Sequence, residues 1–187
     1  MAVILASIKS LSQGSPEEVQ VIFDSLKKST VEKGAYLLKE GRICTQYYFV
    51  EEGAIRLFFT KDELDYTVWI GTPGEVFTNL ESYLDASKSN INIQALENSI
   101  VYVINKAESD RLAEKSNTYN TLLRKTVEMA FINLSKNVMS FQSEEAAERY
   151  NRVMKEKNWI LKYPLKYIST FIGVTQSTLS RIRATKK

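Results

Sequence analysis

The 187-residue chain has no histidine and a single cysteine, Cys44. Without histidine there is no imidazole acid/base chemistry, no Ser-His-Asp or Cys-His nucleophile, and none of the usual zinc or haem ligand sets. One thiol cannot form an intrachain disulfide or hold an iron–sulfur cluster. Cys44 falls in the turn-like stretch GRICTQ with no resolving partner, so it reads as an unpaired surface or structural thiol without a role. Carboxylates are not clustered either, and no enzyme is expected. Long apolar runs are also missing: nothing approaches the roughly 18 uncharged residues of a membrane span, and the N-terminal MAVILASIK is too short for a secretory signal. These absences predict a cytoplasmic protein without a membrane partner. An apolar content of 44% is enough to fill the core of one generous domain, or of a medium and a small one.

Charge is unevenly distributed. Residues 148–187 hold ten Lys/Arg against Glu148 and Glu156, a net of +8. The remainder carries 15 basic and 20 acidic residues, a net of −5. A basic end on an acidic body suits a polyanion partner, and a solvated charged helix accounts for part of it.

Between Thr30 and Asn105, short runs rich in β-branched and aromatic residues alternate with turns at Gly34, Gly41, Gly53 and Gly74, the pattern of an antiparallel β unit. Ahead of it, Ser15-Pro16-Glu17-Glu18 predicts a capped helix with proline at its first position. From Ser116 to Phe141 there is no proline or glycine, and Tyr119, Leu123, Val127, Ala130, Leu134, Val138 and Phe141 form one helical stripe. A helix of roughly 40 Å, at 1.5 Å per residue, is longer than a small β domain needs for cover, which favours pairing with a second copy over packing on its own β unit. Ser143-Glu144-Glu145 predicts a capped restart into a basic helix ending near Lys157. The expected class is α+β, divided as 1–115, 116–141 and 142–187.

The final segment, PLKYISTFIGVTQSTLSRIRATKK, fits a helix-turn-helix with Gly173 as the turn glycine. Ile168, Ile172, Val174, Leu179 and Ile182 then weld two helices, small Ser169 sits at their closest approach, and Thr175 caps the second. The opposite face presents Gln176, Ser177, Ser180 and Arg181. Arginine can donate twice to guanine and glutamine can pair with adenine, so these residues suit base edges. Lys166, Arg183, Lys186 and Lys187 suit phosphate oxygens, which fix register without reading sequence. A plain helical hairpin with a solvated basic face is the competing reading.

This order of parts resembles the Crp/Fnr family of bacterial transcription factors (cyclic-AMP receptor, fumarate-nitrate regulator) over essentially the whole chain. The resembling stretches are KGAYLLKEG at 33–41, YYFVEEGAIRLFF at 47–59, PGEVF at 73–77 and TQSTLSRIR at 175–183. The resemblance implies an N-terminal β-roll of cyclic-nucleotide-binding type (a double-stranded jelly roll), a homodimer made by the long helix, a C-terminal helix-turn-helix, and a double-stranded DNA site with two half-sites. RNA polymerase is a candidate partner, and a cyclic nucleotide or other small molecule a candidate effector. The family's ligand loop maps onto Gly74, Glu75 and Val76, its phosphate clamp onto Lys88 and Ser89, and its base-contacting helix position onto Ser135. Lys88 stands where the family uses arginine, 13 residues after Glu75, and lysine lacks the fork that grips phosphate. For Gly74 and Glu75 a strand-end turn with a solvated carboxylate remains equally open. Neither the cysteine cluster of oxygen-sensing members nor a haem-binding histidine is present.

Two functions follow as expectations. One is a regulator in which the β-roll senses a small molecule and the long helices couple it to major-groove binding. The other is a cyclic-nucleotide-binding module that acts on a protein partner.

Overall fold

The computed structural model describes residues 3–185, with the backbone alone given for Asn158 and Trp159. Two helices, α1 (Val3–Ser12) and α2 (Pro16–Asp24), precede the strands. The Ser15 cap is as expected: Glu18 N donates to Ser15 Oγ at 3.3 Å, and Ser15 N donates back to the Glu18 carboxylate at 2.8 Å. The start of α1, which the sequence reading left unassigned, is held by an acid from elsewhere in the chain. Val3 N and Ile4 N both donate to the Glu51 carboxylate at 2.9 Å, so a negative charge meets the positive end of the helix.

Eight strands follow: β1 (Lys27–Val31), β2 (Tyr36–Leu38), β3 (Gln46–Glu52), β4 (Ile55–Lys61), β5 (Leu64–Gly71), β6 (Val76–Phe77), β7 (Asn92–Ala95) and β8 (Ser99–Asn105). They form two four-stranded sheets, ordered β1-β8-β3-β6 and β2-β7-β4-β5, a double-sheet roll of the kind the resemblance implied. Gly53, between β3 and β4, has φ +87°, and a Cβ on it would lie 2.2 Å from Ser99 Oγ. Only glycine permits both that backbone and that approach. A short helix, α3 (Leu80–Asp85), separates β6 from β7, and α4 (Lys106–Lys115) follows β8.

The core behind the first sheet gathers Ile4 and Ile8, Val19 and Ile22, Tyr47 and Phe49, Ile104, Leu112, Tyr119 and Leu122. Tyr119 donates to Ser109 Oγ at 2.8 Å, which satisfies a phenol that would otherwise be stranded. Burial pushes the Tyr47 hydroxyl up to about 12 and moves Tyr48 and Tyr119 upward as well. Cys44 is buried rather than on the surface, its Sγ 3.2 Å from Thr78 Oγ1.

The long helix α5 spans Asn117–Ser143. It is followed by α6 (Ala146–Glu156), a 3-10 turn (Asn158–Leu161), α7 (Leu165–Ile172) and α8 (Gln176–Ala184). Compact packing divides the chain at α5: residues 1–57 with 70–129 form one unit, and residues 58–69 with 130–187 form the other. No helix among the described residues is long and apolar enough to cross a membrane. The break between α5 and α6 falls near the expected place, but its chemistry differs. Ser143 closes α5, its hydroxyl donating to Met139 O at 2.8 Å, while Glu145 takes the cap position and donates its N–H to the Glu148 carboxylate at 2.9 Å.

Candidate functional site

The last two helices carry the strongest signal. α7 ends because Gly173 turns left-handed at φ +77°, and its N–H donates back to Thr170 O at 3.2 Å. Two residues later, Thr175 caps α8 by accepting from Thr178 N at 3.2 Å. Ile168, Ser169, Ile172 and Leu179 are buried and Val174 and Ile182 half-buried, which is the apolar face expected from spacing. Gln176, Ser177, Ser180 and Arg181 are all exposed on the other side of α8. Lys166 is exposed on α7, its ammonium 4.9 Å from the Tyr167 ring centre.

Two of the expected contacts stand differently. Arg183 is half-buried, donates to Ile160 O at 2.9 Å and lies over the Tyr150 ring at 5.7 Å. It fastens α8 to the 3-10 turn and does not face outward. The reason is helical geometry: residue 183 lies one turn beyond buried Leu179, on the same face. Thr175 engages its hydroxyl with Ser177 and Thr178 at 2.9 and 3.0 Å, so it acts first as a cap. Lys186 and Lys187 lie outside the described residues.

Within the same unit, the β4–β5 hairpin meets α7: Thr67 N donates to Thr170 Oγ1 at 3.1 Å, and Lys157 lies 5.1 Å from the Trp69 ring centre. Half of the α5 stripe has no cover within one chain. Tyr119 is fully buried, whereas Leu134, Val138 and Phe141 are 58%, 47% and 51% exposed, and Phe131, which flanks the stripe, is 68% exposed.

The sensor residues do not assemble as their mapping implied. Glu75 turns back on its own loop, accepting from Thr72 N at 2.6 Å and Thr72 Oγ1 at 3.0 Å. Gly74 has φ +93° and donates to Val50 O, and Val76 pairs with Phe49 in the sheet. Ser89 is buried and meets Asn79 instead, whose side-chain amide donates to it at 2.7 Å. The Ser89 hydroxyl also donates to Ile91 O at 2.7 Å and accepts from Ile91 N at 3.1 Å, which accounts for its proton and both lone pairs. Asn79 also caps α3, its carbonyl oxygen accepting from Ser82 N at 3.4 Å. Lys88 is exposed beside Ile43. Ser135 lies half-buried on the later part of α5. A serine with no donor left and a neutral amide beside it do not fit a cyclic phosphate. Sequence reading missed Asn79; its place just before a short helix was the available signal.

A double-sheet roll, a long helix and two short terminal helices together define the architecture, and known proteins share it. Residues 28–116 match the cyclic nucleotide-binding domain family. Over most of its length the chain superposes on FixK2 from Bradyrhizobium japonicum (TM-score 0.75, 16% identity, 86% of this chain and 83% of that one). It also superposes on a CooA mutant from Carboxydothermus hydrogenoformans (0.72, 14%, 88% and 78%). A Eubacterium rectale chain described as a transcriptional regulator of the Crp/Fnr family aligns similarly (0.70, 15%, 93% and 84%). No curated protein sequence matches the chain. At these identities the likeness establishes the fold alone: residues 28–116 match the cyclic nucleotide-binding domain family, and most of the chain shares the fold of these solved structures.

Proposed function

We propose that the protein is a homodimeric, DNA-binding transcription regulator of Crp/Fnr type, with α7 and α8 as a helix-turn-helix. The observation that carries the reading is the two-faced character of α8. Leu179 is fully buried while Gln176, Ser177, Ser180 and Arg181 are exposed to solvent. Arg181 reads a guanine edge, Gln176 an adenine edge, and Lys166 a phosphate. The uncovered Phe131–Val138 stretch of α5 supports the dimer, which spaces two α8 helices for half-sites about 34 Å apart. The domain limits 1–115, 116–141 and 142–187, a cytoplasmic setting and contact with RNA polymerase belong to the same reading. The β-roll takes a small molecule other than a cyclic nucleotide, because Ser89 gives its proton to Ile91 O and accepts from Asn79, where a phosphate clamp would need a free donor.

The test is affinity for duplexes enriched from a random pool by the full chain, compared with random duplex. Arg181→Ala should remove most of the preference, by about 1–3 kcal/mol, while Lys166→Ala weakens both duplexes alike. Equal losses on both duplexes for both variants contradict the assignment. A DNA affinity that does not fall with salt would instead favour a protein-docking module.

A further inference from the structure

Between α5 and the α7–α8 turn stands a cluster built on Arg149 and Phe141. Arg149, on α6, donates from Nε to Ile172 O at 3.0 Å and from another guanidinium nitrogen to Glu144 O. Those carbonyls belong to the last residue of α7 and the first residue beyond α5, both helix ends where carbonyls lack intrahelical partners. A single cation across two such ends meets partial negative charge from each helix. The guanidinium also lies 5.3 Å from the Phe141 ring centre. Phe141 in turn packs on the turn glycine: a Cβ on Gly173 would stand 2.5 Å from Phe141 Cε1. The corner is braced a second time by Arg152, which donates to Ser140 Oγ at 2.7 Å and to the Glu144 carboxylate at 3.2 Å.

We propose that Arg149 and Phe141 are positioning residues for α8, clasping the α5–α6 corner to the Gly173 turn so that α8 takes its direction from the final turns of α5. Gly173 is required twice over, for its left-handed backbone and for the room Phe141 occupies. The proposal deepens the DNA-binding reading and rests on it for its purpose, but not for its existence.

Two measurements on the full chain test it. The first needs no DNA: unfolding of Phe141→Ala, Gly173→Ala and the double variant. Gly173→Ala alone combines backbone strain with crowding, and Phe141→Ala relieves the crowding. The double variant should therefore lose at least tenfold less in unfolding equilibrium than the two single losses combined. Additive losses overturn the clasp.

The second compares wild type, Arg149→Met and Arg149→Lys on the enriched and random duplexes. Arg149→Met should lower affinity for the enriched duplex tenfold or more, with random-duplex affinity and sedimentation mass unchanged. Lysine, able to meet one carbonyl at a time, should restore only part. Equal loss on both duplexes, or full recovery with lysine, overturns the positioning role. If wild type enriches no duplex, the DNA reading and α8 positioning fail together, while the unfolding cycle still decides whether the clasp exists.

Discussion

Leu134→Ala is the sharpest test of the uncovered α5 stripe. Leu134 is 58% exposed in the single chain, so a little over half of its side chain remains to be buried when a second copy arrives. Full burial of a leucine contributes about 2 kcal/mol, so the part left for pairing is about 1.2 kcal/mol per copy and about 2.4 kcal/mol for a symmetric pair. That raises the dimer dissociation constant roughly 50-fold at 1.4 kcal/mol per decade. Sedimentation equilibrium across a concentration series measures it directly. Phe131→Ala, at 68% exposure and with a larger ring, should weaken pairing further. The same substitution at exposed Arg124, which pairs with Glu128 on its own helix, should change little. A chain that is monomeric at every concentration, or a dimer indifferent to both Leu134→Ala and Phe131→Ala, refutes the expectation.

Other outcomes follow from single contacts. Leu179→Ala, at a site with no exposure, should destabilise the C-terminal unit by about 2–5 kcal/mol in urea unfolding. Arg183→Ala should behave as a stability variant and leave the preference among duplexes intact, because its guanidinium meets Ile160 O. The Ser140 hydroxyl, and then Arg152, hold the Glu144 carboxyl below the ordinary carboxylate range. Its contribution is therefore present above about pH 4.3 and lost as pH falls through the lowered value. Melting of the C-terminal unit should keep this contribution from pH 8 to 5 and lose it in acid, and Glu144→Gln should make that acid limb shallower.

The terminal helices were legible because their rule is local. A glycine at the turn and apolar residues at helical spacing define one buried face, and the exposed face follows by elimination. The same rule, applied one step further, places Arg183 inward, since it stands four residues after Leu179. The roll was legible as a class because alternation and turn glycines mark strands. Helix α4 was not, because it buries only Ser109 and Leu112 and so shows no stripe. Helix α1 offered an apolar run without its counterpart, Glu51, which lies 48 residues away from Val3. The sensor loop failed for a similar reason: a motif match ties Glu75 to Ser89 by spacing, whereas the fold supplies Ser89 with Asn79 and returns Glu75 to Thr72. Partner choice among polar side chains is set by folding and leaves no periodic trace.

The inward turn of Arg183 limits how much information one α8 can extract from a duplex. A single outward guanidinium, accompanied by an amide and two hydroxyls, grips one guanine firmly and its neighbours weakly. On the proposed DNA-binding reading, such a helix spreads over many related sites of graded strength. Selectivity then falls to simultaneous engagement by two copies, so the spacing between half-sites should tolerate less change than the letters within them.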